Sequence, residues 1–321
     1  MTENILDNLL RQGLFADEDA ERIRLYKAKE PFSLHWELKT MLYLGVLLLN
    51  IGLGVVVYEN IDSIGHVAII TGIGALSAGC FAYVIRHRRP FSMQAVESPT
   101  PYYDYIFLLG CLAFLIAEGY WQFQYKIFGE RYGLATFIPM VLFFGLAYRF
   151  DHRGVLSLGI TALASWLGVT VTPQDLLSHN DFNSQTIVQT GVFLGALLTA
   201  VPFLCERWDF KKHFSLTYLN FGVHILMVSC LAGMMALDHP AIYFPLLCCA
   251  VGFFSWYAGA RSSFYFLTVA VLYGYIGITW IILSNVSGFD FTFYLFYFII
   301  SCAGIIFFLT NHKRFFKTQT P

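Results

Sequence analysis

The chain alternates long apolar runs with short polar connections. Ten runs each hold about 17 to 25 mostly apolar residues, the length that crosses roughly 30 Å of hydrocarbon as a helix. They lie near residues 39–58, 64–85, 103–121, 132–148, 154–171, 186–204, 214–236, 241–259, 262–283 and 290–310. Hydrocarbon offers no partner to an unpaired backbone amide, and the runs lack the alternation of barrel strands. We therefore predict an all-α polytopic membrane protein with about ten transmembrane helices.

The composition supports a membrane location and excludes several other classes of protein. Hydrophobic residues make up 57% of the 321 residues, charged residues only 13%, and the mean hydropathy is +0.60. A soluble domain is about a quarter charged. The net charge is −1, with 20 Lys and Arg against 21 Asp and Glu. A soluble enzyme, a disordered chain and a nucleic-acid binder are therefore excluded, and the lipid bilayer is the expected partner.

The distribution of Lys and Arg predicts the orientation of the chain. If the N-terminus is cytoplasmic and the ten runs all cross, all but two of the 20 basic residues fall on the cytoplasmic side, the exceptions being Lys126 and Arg131. An excess of basic residues marks the cytoplasmic side of a membrane protein. We predict that both termini are cytoplasmic and that the chain has three parts: a helical hairpin over 1–37, a ten-helix transmembrane domain over 38–310, and a basic tail over 311–321.

The predicted N-terminal hairpin has two open interpretations. Its first helix carries a one-sided apolar stripe and ends at Gly13. Its second helix begins at Asp17 and has acidic residues in its first turn and basic residues in its last. The helix dipole favours this order of charges. The stripe consists of Ile5, Leu6, Leu9 and Leu10. The hairpin either rests on the membrane surface against anionic lipid or docks a cytoplasmic protein partner through residues 1–30.

Several stretches in the first half of the chain resemble a known family. They read GLFADEDAERI at 13–23, YENID at 58–62, FLIAEGY at 114–120, and RFD at 149–151. Over roughly residues 5–170 the chain resembles the bacterial membrane proteins of domain-of-unknown-function family 2157. The resemblance implies a protein of the bacterial cytoplasmic membrane, with no established activity to carry over. It also implies glutamine at position 118, where this chain has Glu118.

Enzymatic and metal-binding motifs are absent from the sequence. It has no phosphate loop, no His-Glu-x-x-His, no nucleophile elbow and no Cys-x-x-Cys. The seven cysteines lie within or at the ends of apolar runs and are interpreted as small hydrophobic residues. We therefore expect no metal and no cofactor, and any chemistry must depend on polar groups inside the membrane.

Glu118 is the one carboxylate well inside a predicted span. Ionisable side chains at membrane depth are costly and are therefore candidate functional sites. Glu118 is predicted to lie within a turn or two of the outer end of the third helix. It either binds a proton or a cation in an outward-facing vestibule, or reaches the outer interface beside Tyr120 and Trp121.

His224 is the second candidate, near the middle of the seventh run. Asn220 and Thr217 precede it by four and seven residues, which places the three side chains on one helix face. Such a stripe either lines a hydrated path that relays protons or forms hydrogen bonds between helices.

Glycines predict close helix crossings in two runs. They are the pair Gly191 and Gly195 in the sixth run, and Gly72, Gly74 and Gly79 in the second. Small residues at such spacing let helix backbones approach within a chain or between chains, and we favour packing within the chain.

Three functions are compatible with these features. Ten spans with both ends inside divide into two five-helix halves of opposite orientation, an arrangement found in transporters with inverted repeats. We favour a small-molecule or ion transporter with Glu118 and His224 as coupling residues. A non-catalytic scaffold that docks a partner through the N-terminal hairpin is the first alternative, and a membrane-embedded lipid enzyme is the second. The sequence does not define a substrate or an oligomeric state.

Overall fold

All regular secondary structure in the described part of the molecule is helical. A computed structural model describes residues 35–59, 65–100, 102–129, 132–171, 185–237, 239–285 and 291–311, and no β-strand occurs among them. These residues form ten α-helices: α1 His35–Glu59, α2 His66–Arg86, α3 Tyr103–Tyr125, α4 Tyr132–Phe150, α5 Arg153–Val171, α6 Gln185–Arg207, α7 Ser215–Met235, α8 Pro240–Ala260, α9 Phe264–Asn285 and α10 Phe291–Thr310. A single 3₁₀ turn, Lys212–Phe214, leads into α7.

Each of the ten predicted apolar runs overlaps one of these helices. Within the described residues, seven helices are long and apolar enough to cross a membrane, namely α2, α3, α4, α6, α7, α8 and α9. Two others contain shorter apolar stretches, Thr40–Val56 in α1 and Tyr294–Thr310 in α10. The all-helical, multi-spanning fold is therefore confirmed, whereas a count of ten crossings remains a prediction.

The chain divides into two compact units, Met1–Ser63 and Ile64–Pro321. The described part of the first unit is α1, in which Asn50 donates a hydrogen bond to the Val46 carbonyl at 2.7 Å. Residues 1–34 lie outside the described residues, and so do 312–321. The predicted N-terminal hairpin and most of the basic tail therefore remain predictions, as does the division at residues 37 and 310.

Two apolar cores hold the second unit together. One lies among α2 to α7 and is built around fully buried side chains such as Phe107, Phe143 and Leu198. The other lies among α6 to α9, around Met227 and Phe254. Large apolar side chains also cover the outside of the helices. A soluble protein rarely exposes such extensive apolar surface, so the bilayer is the solvent that this surface fits.

Glycines allow the closest helix contacts. A Cβ added at Gly195 of α6 would lie 2.5 Å from the backbone nitrogen of Leu226 in α7, and one at Gly191 would collide with Ser229. The predicted crossing at Gly191 and Gly195 is therefore confirmed as a contact within the chain. In α2, by contrast, nothing lies within 4 Å of a Cβ at Gly72, Gly74 or Gly79. Within the second unit, the described part of α2 approaches α3 through Cys80, and close packing at Gly72, Gly74 and Gly79 stays a prediction.

Candidate functional site

A groove lies between α2 and α3 and is lined almost entirely by apolar side chains. Its volume is about 670 Å³. Val67, Ile70 and Thr71 of α2 form one wall. The other wall belongs to α3 and the residues after it and consists of Phe114, Ala117, Glu118, Trp121, Tyr125, Ile127 and Phe128.

Glu118 is the only ionisable carboxylate in this lining. The residue is 9% exposed, and its buried Oε1 has no hydrogen-bond partner among the described residues. A buried carboxylate without a donor or a cation is strongly disfavoured in its charged form. The groove therefore holds a group that requires either a proton or a positively charged ligand.

Contacts between α2 and α3 explain how the groove forms. Ser77 of α2 donates a hydrogen bond to the Gly110 carbonyl of α3 at 2.9 Å, and a Cβ at Gly110 would lie 2.8 Å from the Cys80 Cβ. The two helices are thus in close contact at this level. Toward the other end, His66 Nδ1 and the Tyr120 hydroxyl are hydrogen-bonded at 2.5 Å. The groove lies on the face of the pair that carries Val67 and Glu118.

Gln122 holds the turn after α3, which contributes Phe128 to the groove, and the sequence pattern did not identify this role. Its side chain is 5% exposed, donates to the Gly129 carbonyl at 3.1 Å and accepts from the Phe128 N–H at 2.9 Å. These bonds hold the turn after α3, in which Lys126 and Gly129 have positive φ angles. The signal available in the sequence was an amide one helical turn after Glu118, on the same face.

His224 has hydrogen-bond partners at both ring nitrogens. Its Nδ1 lies 3.0 Å from the Tyr273 hydroxyl and its Nε2 lies 2.8 Å from the Tyr265 hydroxyl, both on α9. The Tyr265 hydroxyl in turn donates to Asn220 Oδ1. This arrangement matches the alternative in which the stripe on α7 bonds neighbouring helices.

The structure does not bring the two candidate sites together. The residues that line the groove belong to α2, α3 and the turn after α3, whereas the hydrogen-bonded partners of His224 and Asn220 lie on α9. Thr217, the third member of the α7 stripe, is half-buried and is not part of the hydrogen-bonded group in the described structure. Of the four predicted site residues, Glu118 alone faces the groove.

A polar junction of ionisable side chains joins three connections at one end of the bundle. The buried Asp151 carboxylate, between α4 and α5, accepts from Lys211 Nζ at 2.8 Å and lies 2.5 Å from His213 Nε2. It also accepts from the Val96 N–H, in the segment between α2 and α3, at 2.6 Å. Asp151 and Lys211 both have positive φ angles, and their ion pair brings the two connections into contact.

The surroundings of Asp151 favour its charged form. Burial acts to raise the pKa of this carboxyl, but the hydrogen bonds from Lys211, Val96 and His213 outweigh burial and hold the pKa below its ordinary value. The junction is therefore a charge-compensated structural contact near neutral pH.

Comparison with known proteins finds a family match in the first half of the chain. Residues 7–156 match the family model described as predicted membrane protein, DUF2157. This matched stretch, the DUF2157 region, covers slightly less than half of the chain. The resemblance predicted from the sequence is thereby confirmed. Neither the curated proteins nor the solved structures compared with the chain give a match.

The DUF2157 region contains some of the features described above, and others lie beyond it. It includes the groove with Glu118 and also Asp151, whereas Lys211 and His224 lie beyond it. Among the described residues, no group of three His, Cys, Asp or Glu side chains is arranged to hold a metal ion.

Proposed function

We propose that the protein is a multi-spanning transporter of the bacterial cytoplasmic membrane, which exchanges protons for small organic cations at Glu118. The proposal includes the predicted orientation, with both termini in the cytoplasm. The observation that carries it is the buried, unpartnered Glu118 Oε1 in the wall of an apolar groove.

The Glu118 carboxylate determines which kind of ligand the groove binds. Since a bare carboxylate is costly in these surroundings, Glu118 binds either a proton or a cation, and the two compete for one site. Competition of this kind couples the movement of a proton to the movement of a cation in the opposite direction.

The aromatic side chains of the groove favour an organic cation over a metal ion. Phe114, Trp121, Tyr125 and Phe128 line the same groove as the carboxylate, and the faces of aromatic rings attract cations. A metal ion prefers several oxygen or nitrogen ligands, and one carboxylate does not supply them. The volume of about 670 Å³ falls in the range of small-molecule sites.

Ethidium is a suitable probe, because it is an aromatic monovalent cation. The full chain is reconstituted into liposomes that are acidic inside and contain a pH-sensitive dye, and ethidium is added outside. We expect proton release faster than from protein-free liposomes, and we expect Glu118→Gln to reduce it to the protein-free rate. The amide keeps the shape of the side chain and removes its charge.

Asp209→Asn is the matched control. It also removes one carboxylate, but from an exposed turn outside the spans, so it should release protons at the wild-type rate. Equal rates for wild type and Glu118→Gln, or no release above protein-free liposomes by the wild type, would overturn the proposal.

A further inference from the structure

A small pocket lies beside the polar junction and is lined by basic side chains. Its residues include Arg89 after α2, Arg149 in the last turn of α4, and Lys211 before α7. The enclosed space of about 20 Å³ admits one or two oxygen-sized atoms. A ligand would therefore sit at the mouth and insert only part of itself.

Arg149 has a buried donor for which the described residues provide no acceptor. Its Nη1 is buried and has no hydrogen-bond partner within the described part of the chain, and its Cζ lies 5.6 Å from the centre of the Phe150 ring. No ion pair to Arg149 or Arg89 occurs among the described residues. A buried charged donor without an acceptor costs more free energy than an ordinary unmade hydrogen bond. A ligand in the pocket that Arg149 lines would supply such an acceptor.

The charges around the pocket favour an anion. Lys211 is compensated by Asp151 at 2.8 Å, so the lining has two further positive charges, Arg89 and Arg149, without an ion pair among the described residues. The one other carboxylate in the lining, Glu97, is exposed to solvent. Ser92 accepts a hydrogen bond from the Gln94 N–H at 3.1 Å, which leaves its own hydroxyl hydrogen available to donate.

The location of the pocket favours a lipid. It opens at the ends of two candidate membrane spans, on the side predicted to be cytoplasmic, and Phe91 and Met93 beside it are about half exposed. Exposed apolar side chains at this level fit the interfacial layer of a bilayer, and basic pockets between helices on this side bind lipid headgroups.

We propose that Arg149 and Arg89 bind the phosphate oxygens of an anionic phospholipid. Arginine presents planar, paired donors that match phosphate geometry. The same chemistry would recognise free phosphate, and the experiment separates the two sources. The proposal is independent of the transport function, because it involves none of the groove residues.

The test is a binding titration of the purified full chain in a zwitterionic detergent. The probes are short-chain phosphatidylglycerol, short-chain phosphatidylcholine and inorganic phosphate, and the readouts are thermal stability and the lipid retained in native mass spectra. We expect phosphatidylglycerol to bind and stabilise the wild type, and phosphatidylcholine to bind weakly. If inorganic phosphate binds at similar concentrations, without a preference for phosphatidylglycerol, the site recognises phosphate and the proposal of a lipid ligand is wrong.

Arg149→Gln should weaken phosphatidylglycerol binding about ten- to a hundredfold, the effect of losing a charge-assisted hydrogen bond. Arg89→Gln, in an exposed segment, tests the site without disturbing a helix and should also weaken binding. Arg153→Gln is the control, because it removes a positive charge at the exposed start of α5 outside the pocket. An equal loss in Arg153→Gln would show that binding depends on general surface charge and would overturn the proposal.

Discussion

The Lys211 ammonium lies 2.8 Å from the Asp151 carboxylate, and the two side chains are only 1% and 4% exposed. The residues are 60 positions apart and belong to different helix connections. The Lys211 ammonium also lies 5.0 Å from the centre of the Phe91 ring, in the connection between α2 and α3. This pair therefore joins three connections at one end of the bundle.

Breaking this ion pair from one side should be strongly destabilising. Asp151→Ala would leave Lys211 buried without a counter-charge, and the loss of one partner of a buried pair costs about 3–5 kcal/mol. The free energy of unfolding, measured by titration with sodium dodecyl sulfate in mixed micelles, should fall by that amount.

Asp209→Ala provides the comparison. Asp209 lies 2.9 Å from Lys212, but the side chains are 83% and 54% exposed. Exposed pairs contribute about 0–1 kcal/mol. Equal losses for Asp151→Ala and Asp209→Ala would contradict the structural role assigned to the buried pair.

The contribution of Asp151 should depend on pH in one direction. Its pKa is lower in the folded protein than its ordinary value of 3.8, so its stabilising effect is complete above that value and is lost as the pH falls through the folded-state pKa. Thermal denaturation in detergent should show no loss of the stability difference between wild type and Asp151→Asn from about pH 7 to about pH 5. The difference should shrink below 3.8. A difference that already shrinks near neutral pH would refute this assignment.

The helices were predictable from the sequence because hydrocarbon imposes a length and an apolar composition on every span. The site was predictable only in part. The sequence identified Glu118 and His224 by the same criterion, since both are ionisable side chains within apolar runs. What separates them is the partner: Tyr265 and Tyr273 lie 41 and 49 residues after His224, and no local pattern links them.

Gly195 should tolerate no side chain. A Cβ there would lie 2.5 Å from the Leu226 backbone nitrogen, so Gly195→Ala must push α6 and α7 apart. Overpacking of this kind costs about 1–3 kcal/mol. Gly252→Ala in α8 is the matched control, because nothing lies within 4 Å of its added Cβ and alanine favours a helix. Detergent unfolding should show a loss for Gly195→Ala and none for Gly252→Ala, and equal behaviour would argue against the close crossing.

His224 should contribute to stability and not to transport. His224→Ala removes hydrogen bonds to Tyr265 and Tyr273, each worth about 0.6 kcal/mol between helices in a membrane, so the variant should unfold more easily. In a double-mutant cycle with Tyr273→Phe, the coupling energy should match one such bond, about 0.6 kcal/mol. Proton release driven by ethidium should be unchanged in His224→Ala, in contrast to Glu118→Gln. If His224→Ala abolishes release while its stability stays at the wild-type level, the imidazole is a proton relay and the structural assignment is wrong.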